Sequence, residues 1–374
     1  MKIAVNTRLL LKNKLDGLGY FSHEVLQRLV NNHPEVEWLF IFDRPYHSDF
    51  IYNNKVQAIS IGPPSRHAIL WWIWFQISIP YVLWKHKVDL LLSPDGYIPT
   101  YGKTPALPVI HDINFEHQNH NLDPVSGAYM RYFFPRFAKR GRRVATVSYF
   151  SKKDISKTYS IDEGQIDLVY NGVSSKFKAL NDSERMIQKK KWSKGSEYLL
   201  FVGSLNPRKN IEGMLDAYEI YRDQGGQAKF ILAGSNMLGA QEIADCHRKN
   251  SYQSDIIFTG RLHENEIISL LGAAQALCFV SHFEGFGIPI LEAFKSDCPV
   301  ITANNTAMPE VAGEAAWLCN SKDATDIAKA MLASDNEDLR KNRILKGREQ
   351  VKNFNWDKSA EMMWSSIQKS LDRG

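Results

Sequence analysis

The chain of 374 residues reads as an α/β protein in which a doubly wound, parallel-sheet domain is built twice. Three observations predict this. Short apolar runs recur along the chain, each too short for a helix and each separated from the next by an amphipathic stretch or a loop. Several of these runs end on glycine or a small polar residue, the usual hand-over at the ligand-binding edge of an open sheet. A polar, lysine-rich stretch at 178–196, part of which (183–192) could be a short helix, interrupts the alternation, which then restarts. The expected organisation is a first domain at 1–177, a linker at 178–196, a second domain at 197–355 and a terminal helix at 356–374 that returns to the first domain.

Composition narrows the class before any motif is considered. Hydrophobic content of 44% with 23% charged residues is that of a soluble globular protein, and the length gives room for two domains. Cys246, Cys278, Cys298 and Cys319 form no C-x-x-C pair, which argues against a disulfide framework and a cysteine zinc site. The opening MKIAVNTRLL is interrupted by Asn6, Thr7 and Arg8, so it reads as a strand rather than a signal peptide, and a cytoplasmic location is expected.

Residues 2–6 form the first strand, and Gly17 and Gly19 sit in the loop leading to an amphipathic helix at 21–30. The spacing does not fit G-x-G-x-x-G, so no dinucleotide fingerprint is present. Further strands are expected at 38–42, 58–61 and 88–92, the last ending in the turn Ser93-Pro94-Asp95-Gly96. Between them, residues 68–84 hold Trp71, Trp72, Trp74, Phe75, Tyr81 and Trp84. At 17 residues, broken by Gln76, Ser78 and Pro80, this segment falls short of a spanning helix, which needs ~20. It reads as a helix packed on the sheet, with aromatic surface suited to a membrane interface.

The run at 108–110 ends in His111 and Asp112. Such a pair at the carboxyl edge of a sheet suits a ligand, although it could equally close a turn. His117 and His120 follow, but with His111 they lack the i, i+4 spacing of a helical metal site, and only Glu116 stands beside them. No metal is expected. A helix beginning at Asp123 ends in the cluster Arg136, Lys139, Arg140, Arg142 and Arg143, and strands at 144–147 and 166–170 close the domain. Residues 1–180 carry 22 Lys and Arg against 15 Asp and Glu, whereas the rest carry 24 against 26. The basic half suits an acidic partner, whether nucleic acid, an anionic lipid headgroup or a diphosphate-linked acceptor, or simply a solvated surface. No stacking-and-basic motif supports nucleic acid.

In the second half a strand at 198–202 runs to Gly203 and then to Pro207-Arg208-Lys209-Asn210. Adjacent cations opening a helix after a glycine suit phosphate. Strands at 229–232, 256–258, 276–280 and 299–302 follow, with Gly260 and Arg261 after the second of them. The stretch 281–300, SHFEGFGIPILEAFKSDCPV, organises the chain. Gly285 and Gly287 are expected to adopt left-handed angles, and Pro289 to enter the first turn of a helix whose unpaired N–H groups, from around Phe286 through Ile288 to Ile290, face an anion. Glu284 before that helix and Glu292 in its first turn accept hydrogen bonds from hydroxyls. Hydroxyls on both sides of a diphosphate are what a nucleotide sugar offers. The plainer alternative makes Glu284 a solvated loop residue and Glu292 a helix-dipole carboxylate.

The E-x7-E run, the G-x-x-x-x-R-K-N pattern of 203–210 and the His-Asp pair resemble the retaining, nucleotide-sugar-dependent glycosyltransferases of the GT-B fold known as glycosyltransferase family 4. The resemblance implies two Rossmann-like domains facing across a cleft, the first for acceptor and the second for donor. It places His111 and Glu284 at the transferred sugar as the catalytic pair. It assigns the diphosphate to Arg208, Lys209, Gly203, Gly285, Phe286, Gly287 and Ile288, with Gly17, Gly19, Gly260 and Arg261 around it. Glu292 holds the ribose, and Asp112 orients His111 or the acceptor. No cofactor is implied beyond the donor itself, for which GDP-mannose is favoured by resemblance to bacterial polysaccharide mannosyltransferases. The acceptor would be a glycan or a lipid-linked glycan of lipopolysaccharide or another cell-surface polysaccharide, met at the inner face of the membrane. A non-hydrolysing sugar-nucleotide epimerase and a non-catalytic partner subunit stay open as alternatives.

Overall fold

The computed structural model describes residues 1–117, 123–235 and 240–372, so His120 lies outside the described residues. The chain forms two compact units, Met1–Gly172 with Trp356–Gly374, and Val173–Asn355.

In the first unit the strands are β1 (Lys2–Asn6), β2 (Glu37–Phe42), β3 (Val56–Ser60), β4 (Leu90–Ser93), β5 (Ala106–Pro108), β6 (Val144–Thr146) and β7 (Ile166–Leu168). The first five make a parallel sheet in the order β3-β2-β1-β4-β5. β6 and β7 pair in parallel, and a bridge between Val109 and Ala145 ties them to the chain just past β5. Ile3, Ala4 and Val5 are fully buried, the unbroken apolar run that a parallel strand covered on both faces requires. Winding reverses between β1 and β4, which places a crevice beyond their carboxyl ends.

The helix expected at 21–30 begins earlier, at Gly17, because Asp16 caps it by accepting from the Gly19 N–H at 2.8 Å. Both glycines therefore lie in a helical turn rather than in a free loop. The apolar segment is helical over Ala68–Ile73, widens into a π turn at Trp74–Ser78 and continues over Ile79–Lys85. Trp74, Phe75 and Ile79 are fully buried, and the Trp74 Nε1–H donates to the Ile61 carbonyl at 2.8 Å. Burial of Phe75 and Ile79 is worth roughly 1.5–3 kcal/mol apiece. Among the described residues no helix is long and apolar enough to cross a membrane. The helix Trp356–Leu371 completes this unit: Trp356 meets the Phe21 ring edge-on at 6.1 Å, Trp364 stacks on His33 at 3.5 Å, and Ser366 donates to Asp167 at 2.7 Å.

The second unit holds β8 (Tyr198–Val202), β9 (Lys229–Ala233), β10 (Ile256–Gly260), β11 (Ala276–Phe279), β12 (Val300–Ala303) and β13 (Ala316–Cys319). They form one parallel sheet in the order β10-β9-β8-β11-β12-β13, with the reversal between β8 and β11. The strand β13 carries no clear signal: it is a four-residue edge strand with Leu318 exposed. Within the stretch expected as linker, the short helix allowed at 183–192 forms over Asp182–Ser193. Asn181 and Glu184 form a reciprocal capping box for the helix Asp182–Ser193, and Leu180 packs so tightly on Gly272 that a Cβ there would meet it at 2.6 Å.

Candidate active site

Because β8 and β11 are neighbours on either side of the reversal, the loops that follow them meet at the carboxyl edge of the second sheet. β8 ends at Gly203, whose φ of +152° and close approach to the next strand leave no room for side chains. A Cβ on Gly234 would lie 1.7 Å from the Gly203 carbonyl oxygen. The loop then turns through Pro207–Lys209, capped by Asn206, and Asn210 adopts a left-handed φ of +58°. The Asn210 amide donates to the Val280 carbonyl at 3.0 Å and the Ser321 carbonyl at 2.7 Å, while the His282 N–H donates to the Arg208 carbonyl at 2.9 Å. These bonds staple the two loops together.

The staple brings Arg208, Lys209 and Glu284 into one cluster. Lys209 Nζ lies 2.6 Å from Glu284 Oε1 and Arg208 Nη1 lies 3.0 Å from the same oxygen, with the three side chains 10–20% exposed. Arg208 also donates to the Phe283 carbonyl at 2.7 Å, and Lys209 sits 4.7 Å from the centre of the Phe279 ring. Burial pushes the Glu284 carboxyl up, but Lys209 and then Arg208 outweigh it and hold it below the usual carboxylate range. Two cations therefore stand together at the carboxyl edge of the sheet. That is an electrostatic socket for an anion.

The helix Ile288–Lys295 starts at the same place, with Gly287 as its N-cap at φ +101°. Three expectations need correction here. Gly285 is not among the residues with positive φ, so Gly287 alone supplies the left-handed turn. The Ile290 N–H donates to the Gly287 carbonyl at 3.0 Å, which removes it from the donors open to an anion. Phe286 is buried with its ring edge-on to Phe354, so its contribution to a ligand is backbone only. Glu292 falls in the second turn rather than the first, where burial, reinforced by Glu264, raises its carboxyl to about 7. Gly260 and Arg261 are exposed at the end of β10, and the ion partners of Glu284 are Arg208 and Lys209 rather than Arg261.

At the corresponding crevice of the first unit, His111 is held by Pro94, whose carbonyl lies 2.9 Å from Nε2, and by the edge of the Phe21 ring at 4.7 Å. A carbonyl can only accept, so Nε2 carries the proton and Nδ1 is an acceptor. Burial lowers the basicity of the ring, which keeps it neutral near pH 7. Asp112 does not orient His111: its carboxylate accepts from the backbone and side-chain nitrogens of Asn114 at 3.0 and 2.5 Å. Gly19 packs against the Leu9 carbonyl, where a Cβ would sit at 3.0 Å, whereas Gly17 faces open space. His117 pairs with Asp154 at 2.9 Å, and no group of three possible metal ligands occurs among the described residues.

Three features escape sequence reasoning. Arg8 is 8% exposed, bonds Asp95 at 2.5 Å and lies 4.4 Å over the Tyr97 ring, with Asn6 donating to the other Asp95 oxygen at 2.7 Å. The signal was present, since Arg8 and Asp95 follow the adjacent strands β1 and β4, but only the sheet order reveals it. Thr306, in the loop after β12, accepts from the Glu284 N–H at 3.2 Å. Asn210 is the staple described above.

Comparison with known proteins gives the same picture. Residues 15–177 match the family described as Glycosyltransferase Family 4 and residues 182–350 match Glycosyl transferases group 1. The O-antigen chain mannosyltransferase B of Escherichia coli is 26% identical over 365 residues, covering 93% of this chain and 94% of that protein. The O-antigen chain mannosyltransferase RfbU of Salmonella typhimurium is 28% identical, covering 73% and 71%. Among solved structures, Anabaena HepE in complex with UDP and glucose superposes with a TM-score of 0.74 at 15% identity, covering 98% and 99% of the two chains. The lipopolysaccharide glycosyltransferase WaaG superposes at 0.69 with 14% identity over the full length of both. Fold and matches together define a glycosyltransferase with the GT-B architecture. Within that class, the chain belongs to glycosyltransferase family 4.

Proposed function

We propose that this enzyme transfers mannose from GDP-mannose to an acceptor hydroxyl, with retention of anomeric configuration, in the assembly of a lipopolysaccharide or related cell-surface polysaccharide. The observation that carries the nucleotide-sugar part is the Arg208–Lys209–Glu284 cluster at the turning point of the second sheet. The cations neutralise the diphosphate as it leaves, which is where negative charge builds up. Glu284, released from them by the phosphates, accepts hydroxyls of the transferred sugar, and Glu292 accepts those of the ribose. In the first unit the neutral His111 presents Nδ1 as an acceptor for a further sugar hydroxyl. No protein nucleophile is required if the acceptor attacks the face that the diphosphate leaves, its proton passing to a leaving-group oxygen.

Mannose as the sugar is supported by the two O-antigen mannosyltransferases that align along most of the chain. Their role in O-antigen synthesis supports a cytoplasmic enzyme that meets a glycan or lipid-linked acceptor at the inner face of an anionic membrane. The test is a thermal-shift series with GDP, UDP, ADP and their common sugar conjugates, without added metal, followed by product analysis. A ligand at 100 times its dissociation constant stabilises the fold by about 2.7 kcal/mol. GDP and GDP-mannose are expected to stabilise, with an α-mannoside as product. Stabilisation by UDP alone would move the donor assignment, and no response to any nucleotide would remove it.

A further inference from the structure

The first unit has a second concave feature at the ends of its strands opposite His111. Where β4 and β5 begin, a cavity of about 300 Å³ opens between the helix Ile79–Lys85 and the loop joining the two strands. Leu83, Trp84, Leu91 and Tyr101 give it apolar walls, and Lys103 and Arg140 line it as well. Arg140 is fixed by donating from one nitrogen to the Gly102 carbonyl at 2.7 Å and the Thr104 carbonyl at 3.0 Å. Burial alone acts on its charge, with no carboxylate compensating.

Trp84, 77% exposed, is shared between this cavity and an apolar stripe. On the outer face of the same helical segment Ile69, Trp72, Ile77 and Tyr81 are also exposed. The surrounding charge has one sign. Segments 50–88, 96–111 and 124–153, which supply the helix, the loop and Arg140, contain thirteen Lys and Arg and no Asp or Glu. The acids at this edge are already engaged: Asp89 accepts from the Lys2 N–H at 2.8 Å, and Glu37 pairs with the Lys2 ammonium at 3.1 Å.

We propose that this cavity holds an acyl chain of an anionic phospholipid, with its phosphate on Lys103 and Arg140 and with Trp84, Tyr81, Ile77 and Trp72 entering the headgroup layer. The inference deepens the membrane association of the proposed function and rests on it. Apolar walls offer the hydroxyls of a free sugar or of a nucleotide's ribose little to bond, the cations disfavour a neutral ligand, and inorganic phosphate would leave the cavity unfilled. Amphipathic aromatic rings beside lysine and arginine are the composition that settles at a bilayer surface. Because the site lies at the amino ends of β4 and β5, lipid contact leaves the edge bearing His111 uncovered.

The test is flotation of the whole protein with phosphatidylcholine vesicles, plain or with about 30% phosphatidylglycerol, at about 0.1 M salt. The expectation is binding to the anionic vesicles only. Trp84→Ala, and separately Lys103→Gln with Arg140→Gln, should each weaken it about tenfold or more. With brominated acyl chains, the fraction of tryptophan fluorescence that is quenched should fall in Trp84→Phe. Trp84 and Lys103 are exposed, so variants there keep the fold even where Arg140→Gln does not. Equal binding to both vesicle types, binding to neither, unaltered binding by the variants, or displacement by inorganic phosphate would each overturn the lipid site. Release of GDP from GDP-mannose with a water-soluble acceptor is measured alongside. It should persist in every variant, so loss of the lipid site and loss of the transferase reading give different results.

Discussion

The two carboxyl edges of this molecule use the same topology for opposite electrostatic purposes. At the edge of the second unit, two cations share one carboxylate, and the loops are stapled so that the cluster stays near the strand ends. At the edge of the first unit, the buried Arg8 is matched by Asp95, whose other oxygen takes Asn6, and the guanidinium is covered by Tyr97 and Phe75. The first arrangement sets two cations on one carboxylate, whereas the second pairs one cation with one carboxylate. A switch-point crevice therefore does not by itself imply a charged ligand, because what matters is which charges it gathers.

The sharpest test of that contrast is Glu284→Gln. If Glu284 both restrains the cations and contacts the sugar, removing its charge should lower transfer by about 10²–10³-fold, the scale of one lost preorganised contact. GDP itself should bind more tightly, because Arg208 and Lys209 are freed. Calorimetric titration of GDP beside steady-state transfer separates the two effects. Weaker GDP binding would show that Glu284 positions the cations rather than competing for them.

Arg8→Met should do the reverse, leaving GDP affinity intact while destabilising the first unit by about 3 kcal/mol, because Asp95 is then buried without its partner. Adding Asp95→Asn should recover part of the loss, and denaturant titration followed by GDP binding checks both. A change in GDP affinity in Arg8→Met would erase the distinction between the edges. Lys209→Met is intermediate: one charge-assisted contact at about 1.5–3 kcal/mol predicts a fall of roughly 10- to 100-fold in GDP affinity.

The same contrast explains what could be read from the sequence. The second edge was legible because its chemistry is local: Gly203 with Arg208 and Lys209, and Glu284 with Gly287, are each written within eight residues. The first edge was not, because Arg8 and Asp95 are separated by 87 positions and meet only through the adjacency of β1 and β4. Thr306 was hidden for a like reason, reaching Glu284 from a neighbouring strand's loop. Most strands were legible from their apolar runs, yet β13 was not, since a short edge strand need not be apolar on both faces. The lysine-rich stretch was legible in part. Its polarity suggested a linker that could hold a short helix at 183–192, and the helix Asp182–Ser193 forms there with the Asn181–Glu184 box as its cap.

Finally, the two glutamates of the E-x7-E run should respond to pH in opposite senses. Glu284 is held below its usual range by Lys209 and Arg208, so its contribution to stability is present above about pH 4.5 and lost as the pH falls. Glu292 is raised to about 7 by burial and by Glu264, so its contribution is present below its unfolded value and lost as the pH rises through 7. Between pH 6 and pH 8 the unliganded protein should therefore lose stability relative to Glu292→Gln. Donor affinity should move the other way, since an ionised Glu292 is the stronger acceptor for ribose hydroxyls. The gain is about tenfold at most over that span, and it should be absent in Glu292→Gln, which also removes the phosphate's own titration from the comparison. Identical pH profiles for the two proteins would place the ribose away from Glu292 while leaving the cation pair in its role.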